Sequence, residues 1–513
     1  MTDQYHSIVV GGGHNGLVAA AYLAKAGKKV LVLEAREKLG GAAGTREFHD
    51  GFSVSECAHL LYGLHPRVVD ELKLDIPLAA RKLSTISLGR EADHVTIDGA
   101  QVTNVSSTEA VRYADFHVKM MRYARLLADT LTERPPKLAD NNLQEKMMLA
   151  KLALKVRLLG RDDMRELLRI GAINIFDVVE EELGNPLLKG ALSLDAVLGG
   201  FAGPRSPNTV LSFLYRHAGP ALGCAGPAIP EGGMGAVTDA MAAAAEANGV
   251  VMRTGARVTR ILLVDGKAVG VQLDDGETIE SDCIISNVDL KTTFKGLVGY
   301  PKLETEFARR VHNHRSKGTS AKLHLALSEL PQVPGLSQAD LGQRLVVAPS
   351  PVYVEQAFDH VKYRDVSAQP VMEITIPSIH DPSLAPAGQH VLSAVVQYAP
   401  YELKDSEAAR RFVANIMATL EAHLPGIRGQ VIASELLLPR DLEATYGMTG
   451  GHWHHGEYAL DQFLMLRPVP GAAQYATPVD GLYLCGAGCH PGGNVMGVAG
   501  RNCADAVLRG AKR

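Results

Sequence analysis

A chain of 513 residues is longer than a single hydrophobic core sustains, so roughly two or three domains are expected. With 46% apolar and 21% charged residues, its composition excludes a disordered or fibrous protein. The 52 basic residues nearly balance the 56 acidic ones, and a net charge of −4 gives no basis for nucleic-acid binding.

A strand pattern begins by Ser7, which leaves no room for a targeting segment. No run reaches the roughly 18–20 apolar residues of a spanning helix. The expectation is a cytoplasmic protein, peripheral to a membrane at most. Six cysteines, with no CxxC among them, indicate a reducing compartment without a disulfide framework. Cys485 and Cys489, four apart, fit small packed residues better than a redox pair or a metal site.

Ser7–Val10 reads as a buried strand and runs directly into Gly11-Gly12-Gly13-His14-Asn15-Gly16, a GxGxxG turn. A helical pattern with Leu17, Ala20, Ala21 and Ala24 on one side follows and stops at Gly27. A second strand, Val30–Leu33, ends on Glu34. Gly11 permits the turn, Gly13 the approach of a pyrophosphate and Gly16 close helix–strand contact; Glu34 accepts hydrogen bonds from a ribose. His14 and Asn15 open the helix that faces the phosphates. After Glu34 come Ala35 and Arg36, the latter within reach of phosphate or adenine, and then Gly40-Gly41. A second GxGxxG of comparable framing is absent, which argues against a separate NAD(P)H domain.

Ser106-x-x-Glu109 is a capping-box candidate, starting a helix expected to run to Pro135-Pro136. Over 146–161, Lys146, Lys151, Lys155, Arg157 and Arg161 fall on one half of a helix. Met148, Leu149, Leu152, Val156 and Leu159 fall on the other. Such a helix packs against a domain or a second subunit, or lies on an anionic lipid surface. Pro230-Glu231-Gly232-Gly233-Met234-Gly235 precedes an alanine-rich helix, and a hairpin that includes Val258 turns at Asp265-Gly266. From 320 to 400 the pattern is strand-like: Leu323, Leu325 and Leu327 alternate, and Val352–Val354, Glu373–Ile376 and Val391–Val396 follow. His452, His454 and His455 surround the only tryptophan, Trp453, but lack an acid at metal-ligand spacing, so no metal is expected. Gly481–Gly488 reads as a strand entering a glycine turn, and His490-Pro491-Gly492-Gly493-Asn494-Val495 opens the last helix. Gly488, Asn494 and Val495 are candidates for a second backbone contact with the cofactor.

The fingerprint with its E-x5-GG extension, the P-x-GG-M segment and LYLCGAGCHPGGNVMG together resemble the carotenoid-desaturase (phytoene-desaturase) family of FAD amine-oxidase-like flavoproteins. Gly450–Gly456, Leu460–Gln462 and Arg467–Gly471 are similar to its branch of pyridine nucleotide-disulphide oxidoreductase domain-containing proteins. The resemblance implies FAD and an α/β fold: a Rossmann-type FAD domain from 1–85, 225–300 and 470–513. A substrate domain of mixed sheet would come from 86–224 and 301–469, with a helical insertion over about 106–220. No CxxxxC pair follows the fingerprint, so disulphide chemistry is not implied, and HPGGN departs from the HPGAG of carotenoid desaturases. The activity expected is hydride removal from an apolar small molecule, desaturating a C–C bond or oxidising a related centre, with oxygen or a quinone as electron acceptor. Amine or alcohol oxidation, and a flavin-bound partner-binding protein, are the alternatives. His454, His455 and Tyr62 are the candidate catalytic side chains, His59 a neighbour of Tyr62, and a homo-oligomer is compatible with the packing helix.

Overall fold

The computed structural model describes residues 5–137, 143–224, 226–403 and 405–510. Strand β1 (Ser7–Val10) and strand β2 (Val30–Leu33) are buried at every position and pair in parallel, joined by α1 (His14–Lys25). Continuous Val/Leu/Ile runs of this kind suit strands covered on both faces. The sheet is completed by β3 (Val251–Arg253), β4 (Ile284–Ser286) and β5 (Leu482–Leu484), in the order β3-β2-β1-β4-β5, all parallel. Chain segments far apart in sequence thus build one nucleotide-type sheet. Helices α2 (Gly235–Ala247) and α3 (Val498–Leu508) pack on α1. The hairpin Val258–Val264 with Lys267–Leu273 turns at Asp265 and Gly266, both at positive φ as a tight two-residue turn requires.

The second sheet has eight strands, ordered 431–437, 320–327, 390–397, 371–375, 344–347, 85–87, 95–98 and 101–103. Ser320–Leu327 is buried at all eight positions, so the alternation of its leucines does not mark one wet face. Lys322 and His324 lie inside as well. The expected strand at 352–354 is instead part of the helix Pro351–Lys362. Ser350 accepts the Tyr353 amide at 3.1 Å and Pro351 occupies the first turn. That start signal outweighs two β-branched valines.

Helices spanning 107–221 cover the insertion. Ser106 caps Glu109 at 3.2 Å, but the reciprocal half of the box is not made. The Glu109 carboxylate accepts the amides of Gly184 and Asn185 instead, at 2.8 and 2.7 Å. That helix ends at Ala128, short of the prolines, where Thr130 Oγ1 donates to the Leu127 carbonyl at 2.7 Å and the chain turns. The basic segment forms the helix Leu143–Leu158, without the expected division into two halves. Met148, Leu152 and Val156 face inward beside Lys155, which pairs with Asp129 across the gap. Leu143, Met147, Leu154 and Leu158 point outward among the cations. No helix among the described residues is long and apolar enough to cross a membrane.

Candidate active site

A cavity of about 320 Å³ runs from the carboxyl ends of β1 and β2 to the face of the large sheet. Ligands collect at such strand ends in open α/β sheets. Gly11, Gly13, His14 and Asn15 form one stretch of its wall; Glu34, Ala35, Arg36, Gly40 and Gly41 form the next. Val258, Asn494 and Val495 also line it, and so do Tyr62, His454 and His455. Two candidates lie outside the wall, and each is a packing glycine. A Cβ on Gly16 would sit 2.3 Å from the Gly11 carbonyl, and one on Gly488 would sit 3.2 Å from the His455 backbone and side chain.

At the glycine end the groups are set for an anionic dinucleotide. The α1 N-terminus has neither a side-chain cap nor an acid in its first turn, so its amides are free for an anion. Two side-chain nitrogens beside it, His14 Nε2 and Asn15 Nδ2, are buried without partners. Glu34 is 7% exposed and held by the amides of Gly12 (2.7 Å to Oε2) and Arg36 (2.9 Å to Oε1), which leaves acceptor sites on the carboxylate for a ribose. Arg36 is no solvated surface arginine: it donates to Glu56 at 3.0 Å and to the Gly41 carbonyl at 3.2 Å, and covers the Tyr446 ring. Unpartnered donors at a helix N-terminus, with an acid at the end of β2, fit the pyrophosphate and ribose of FAD. Asn494 and Val495 face the same cavity from the left-handed region, at φ 78° and 50°. For a β-branched residue such as Val495 this conformation is strained and needs surrounding structure to hold it.

The inner end is walled by a buried ionic cluster. Glu373, 2% exposed, accepts four donors: His59 Nε2 at 3.0 Å, the Tyr62 hydroxyl at 2.7 Å, Arg216 Nη2 at 2.8 Å and Arg344 Nε at 2.6 Å. Asp195 holds the other faces of Arg344 and Arg216, at 2.5 and 3.2 Å. Burial alone would raise the Glu373 carboxyl; Arg344 and Arg216 overcome it and keep it well below the usual carboxylate range. Burial pushes the Tyr62 hydroxyl up, outside the range of a proton relay near neutrality. Asp289, also on the cavity wall, is satisfied by the amides of Lys291 and Thr292 and the Thr449 hydroxyl.

The histidines divide by environment. His454 has both ring nitrogens engaged, Nε2 accepting from Trp453 Nε1 at 3.0 Å and Nδ1 donating to the Tyr458 hydroxyl at 3.3 Å. Burial holds it well below the ordinary imidazole value. His455, at φ 54°, has a buried Nδ1 without a partner and is likewise lowered by burial. His452 accepts the His454 amide and lies off the wall, as does His490, whose Nε2 faces the Thr130 carbonyl at 3.3 Å away from the dinucleotide cavity. The turn at His490 therefore does not present that ring to the cofactor space.

Sequence motifs point to none of Arg216, Glu373, Arg344 and Asp195. The signal for two of them is a charge inside or at the head of an apolar strand run, as in Val371-Met372-Glu373-Ile374 and Arg344-Leu345-Val346-Val347. The same signal marks Lys322, fully buried with no partner for its ammonium and brought down to about 7 by burial.

The family model for flavin containing amine oxidoreductases matches residues 16–508. Pyridine nucleotide-disulfide oxidoreductase domain-containing protein 2 of Rattus norvegicus is 31% identical over 560 residues, covering 100% of this chain and 94% of the relative. A limonene dehydrogenase polypeptide of Castellaniella defragrans is 26% identical, covering 98% and 94%. Among solved structures, putrescine oxidase bound to putrescine superposes with a TM-score of 0.61 at 17% identity over the full length of both chains. With a family match over nearly the whole chain and a cavity whose glycine turn, helix terminus and acid fit its cofactor, this protein belongs to the flavin-containing amine oxidoreductases and is an FAD-dependent oxidoreductase.

Proposed function

We propose that the protein takes a hydride from a C–H bond of a largely apolar small molecule, desaturating it or oxidising a related centre. The observation that carries this reading is the state of the acids on the cavity wall. Glu373 and Asp289 are saturated by protein donors, and Glu34 stands at the ribose end. No carboxylate among the described residues at the inner end is left to hold a substrate ammonium, and a bound cation there would meet the guanidinium of Arg216. The limonene dehydrogenase relative, named for a hydrocarbon substrate, agrees with that preference.

FAD supplies the hydride acceptor when bound. The protein's share is position and dryness. Leu198, Val395 and Trp453 give the inner cavity apolar surface, and the ionic cluster fixes the Tyr62 ring beneath the Arg216 guanidinium, 4.3 Å away. His455 lines the inner cavity and, held neutral by burial, is the side chain placed to accept the proton that leaves with the hydride. The single nucleotide fingerprint supports oxygen or a quinone as the electron acceptor and a route that does not pass through a nicotinamide.

The test is anaerobic bleaching of the bound flavin against panels of isoprenoid hydrocarbons, alcohols and primary amines. Bleaching by hydrocarbons is expected. His455→Ala is expected to retain FAD while slowing that bleaching on the order of 100-fold. Rapid bleaching by amines alone would overturn the reading, and rapid reduction by NADH would overturn the electron route.

A further inference from the structure

The helix Leu143–Leu158 is apolar on two opposite sides. Met148, Leu152 and Val156 make up its inward face, beside Leu127, Leu211 and Leu214 of neighbouring helices. Leu143, Met147, Leu154 and Leu158 are 56–73% exposed, and at 100° per residue they form one outward stripe about 60° wide. A helix that only packs on its own domain needs one apolar face. A second stripe of large aliphatic side chains kept in water marks a surface that something covers.

Charge decides what covers it. Lys146 and Arg157 border the stripe on one side and make no ion pair among the described residues; Lys151 borders it on the other, paired with Glu133 at 2.8 Å. Glu145, the only acid of the helix, is buried and held by Arg134 and the Lys137 amide. The next helix, Arg161–Ile170, has the same bias. Its Asp163 and Glu166 are neutralised by Arg122 and Arg169, which leaves Arg161 and Arg165 unpaired against one free acid, Asp162, among the described residues. A second copy docking stripe to stripe would bring Lys146 and Arg157 of both chains together with no acid on that face to separate them. An anionic bilayer meets both requirements: its acyl boundary takes the aliphatic side chains, and its headgroup phosphates take the cations.

We propose that the Leu143–Leu158 helix lies in the interface of an anionic membrane, with Leu143, Met147, Leu154 and Leu158 inserted and Lys146 and Arg157 at the headgroups. Met148, Leu152 and Val156, on the apolar half expected from the sequence, are not the inserting residues. The surface shares no residue with the dinucleotide cavity and does not depend on the reaction proposed above.

The test is flotation of the FAD-loaded full chain with vesicles of phosphatidylcholine, with or without phosphatidylglycerol. Low salt is expected to give co-flotation with the phosphatidylglycerol vesicles only, and about 0.5 M salt to release the protein. Leu154→Gln/Leu158→Gln, which keeps helix-forming side chains, should weaken vesicle binding about ten-fold or more at unchanged FAD absorbance. Lys146→Gln/Arg157→Gln should weaken it at low salt and flatten its salt dependence. Val111→Gln/Val118→Gln, which removes exposed apolar surface from the helix Ser107–Ala128, should float as the wild type does. If the double leucine variant does not retain FAD, Met147→Gln repeats the test from the other end of the stripe. Binding unchanged by loss of the stripe, equal binding to both kinds of vesicle, or no binding at all would overturn the proposal. So would a wild-type dimer in light scattering that Leu154→Gln/Leu158→Gln dissolves, since a second copy would then cover the stripe.

Discussion

Gly13 and Gly16 stand three residues apart in one turn and are required for different reasons. At Gly13 the backbone has φ −74° and ψ 169°, open to any residue, and an added Cβ meets only the end of the Asn287 side chain at 3.0 Å. Gly13→Val is therefore expected to fold with a near-native melting temperature and to emerge colourless, its side chain standing in pyrophosphate space. Full FAD absorbance in that variant would remove the phosphate role. At Gly16 the Cβ would meet backbone, 2.3 Å from the Gly11 carbonyl, and neither side can swing aside. Gly16→Ala is expected to lower stability by about 1–3 kcal/mol even with FAD in excess, as denaturant melts would show. Lys322 offers a residue-scale effect of opposite sign. Burial lowers its ammonium to about 7, so between pH 7 and the usual lysine range the unfolded chain holds a proton that the folded chain lacks. Stability from this group accordingly rises with pH across that window, and below pH 7 its cost is constant. Lys322→Met is expected to stabilise the protein at pH 7 by roughly 4 kcal/mol, a gain that shrinks toward pH 10. An equal gain at both pH values in urea melts would refute a neutral buried lysine.

At the scale of elements, the first βαβ unit is legible because every level of the sequence agrees there. Two short apolar strands, a glycine turn, a helix with small residues on its packed face and a terminal acid all imply the same local fold. Where levels conflict, local capping wins over residue propensity. Val352-Tyr353-Val354 has a strand's composition, yet Ser350 and Pro351 start a helix whose buried residues Val354, Ala357, Phe358 and Val361 fall three and four apart. Ser350→Ala should cost about 1 kcal/mol, measurable as a shifted urea midpoint, and no shift would mean the proline alone sets the start. The Leu143–Leu158 helix was legible as a helix but not in its burial. Its inward stripe includes lysine stems because Asp129 and Glu133, more than a dozen residues earlier, supply their counter-charges. Helical periodicity contains no information about such partners.

Over the whole molecule, the inner end of the flavin cavity is the place where distant segments meet, and this is why the sequence does not reveal it. His59 and Tyr62 come from beside the glycine turns, Asp195 and Arg216 from the helical insertion, Arg344 and Glu373 from two strands of the large sheet. Each is an isolated charge or aromatic in its own neighbourhood; only the fold makes them one cluster. Two guanidinium groups against two carboxylates leave the cluster neutral, so removal of one member strands a buried charge. Arg344→Met leaves Asp195 and Glu373 sharing Arg216 and is expected to cost about 3–5 kcal/mol in denaturant unfolding of the FAD-loaded protein. The pH dependence follows from Glu373. Its folded carboxyl is held well below its unfolded value, so the stability it contributes is complete above the ordinary glutamate range. That stability is lost as pH falls through the range toward the folded value. Glu373→Gln should therefore be markedly destabilised at pH 7, and the gap from wild type should narrow below about pH 4. A gap that stays constant from pH 7 to pH 3.5 would show that the ion pairs of this cluster do not hold the sheet, the insertion and the glycine unit together.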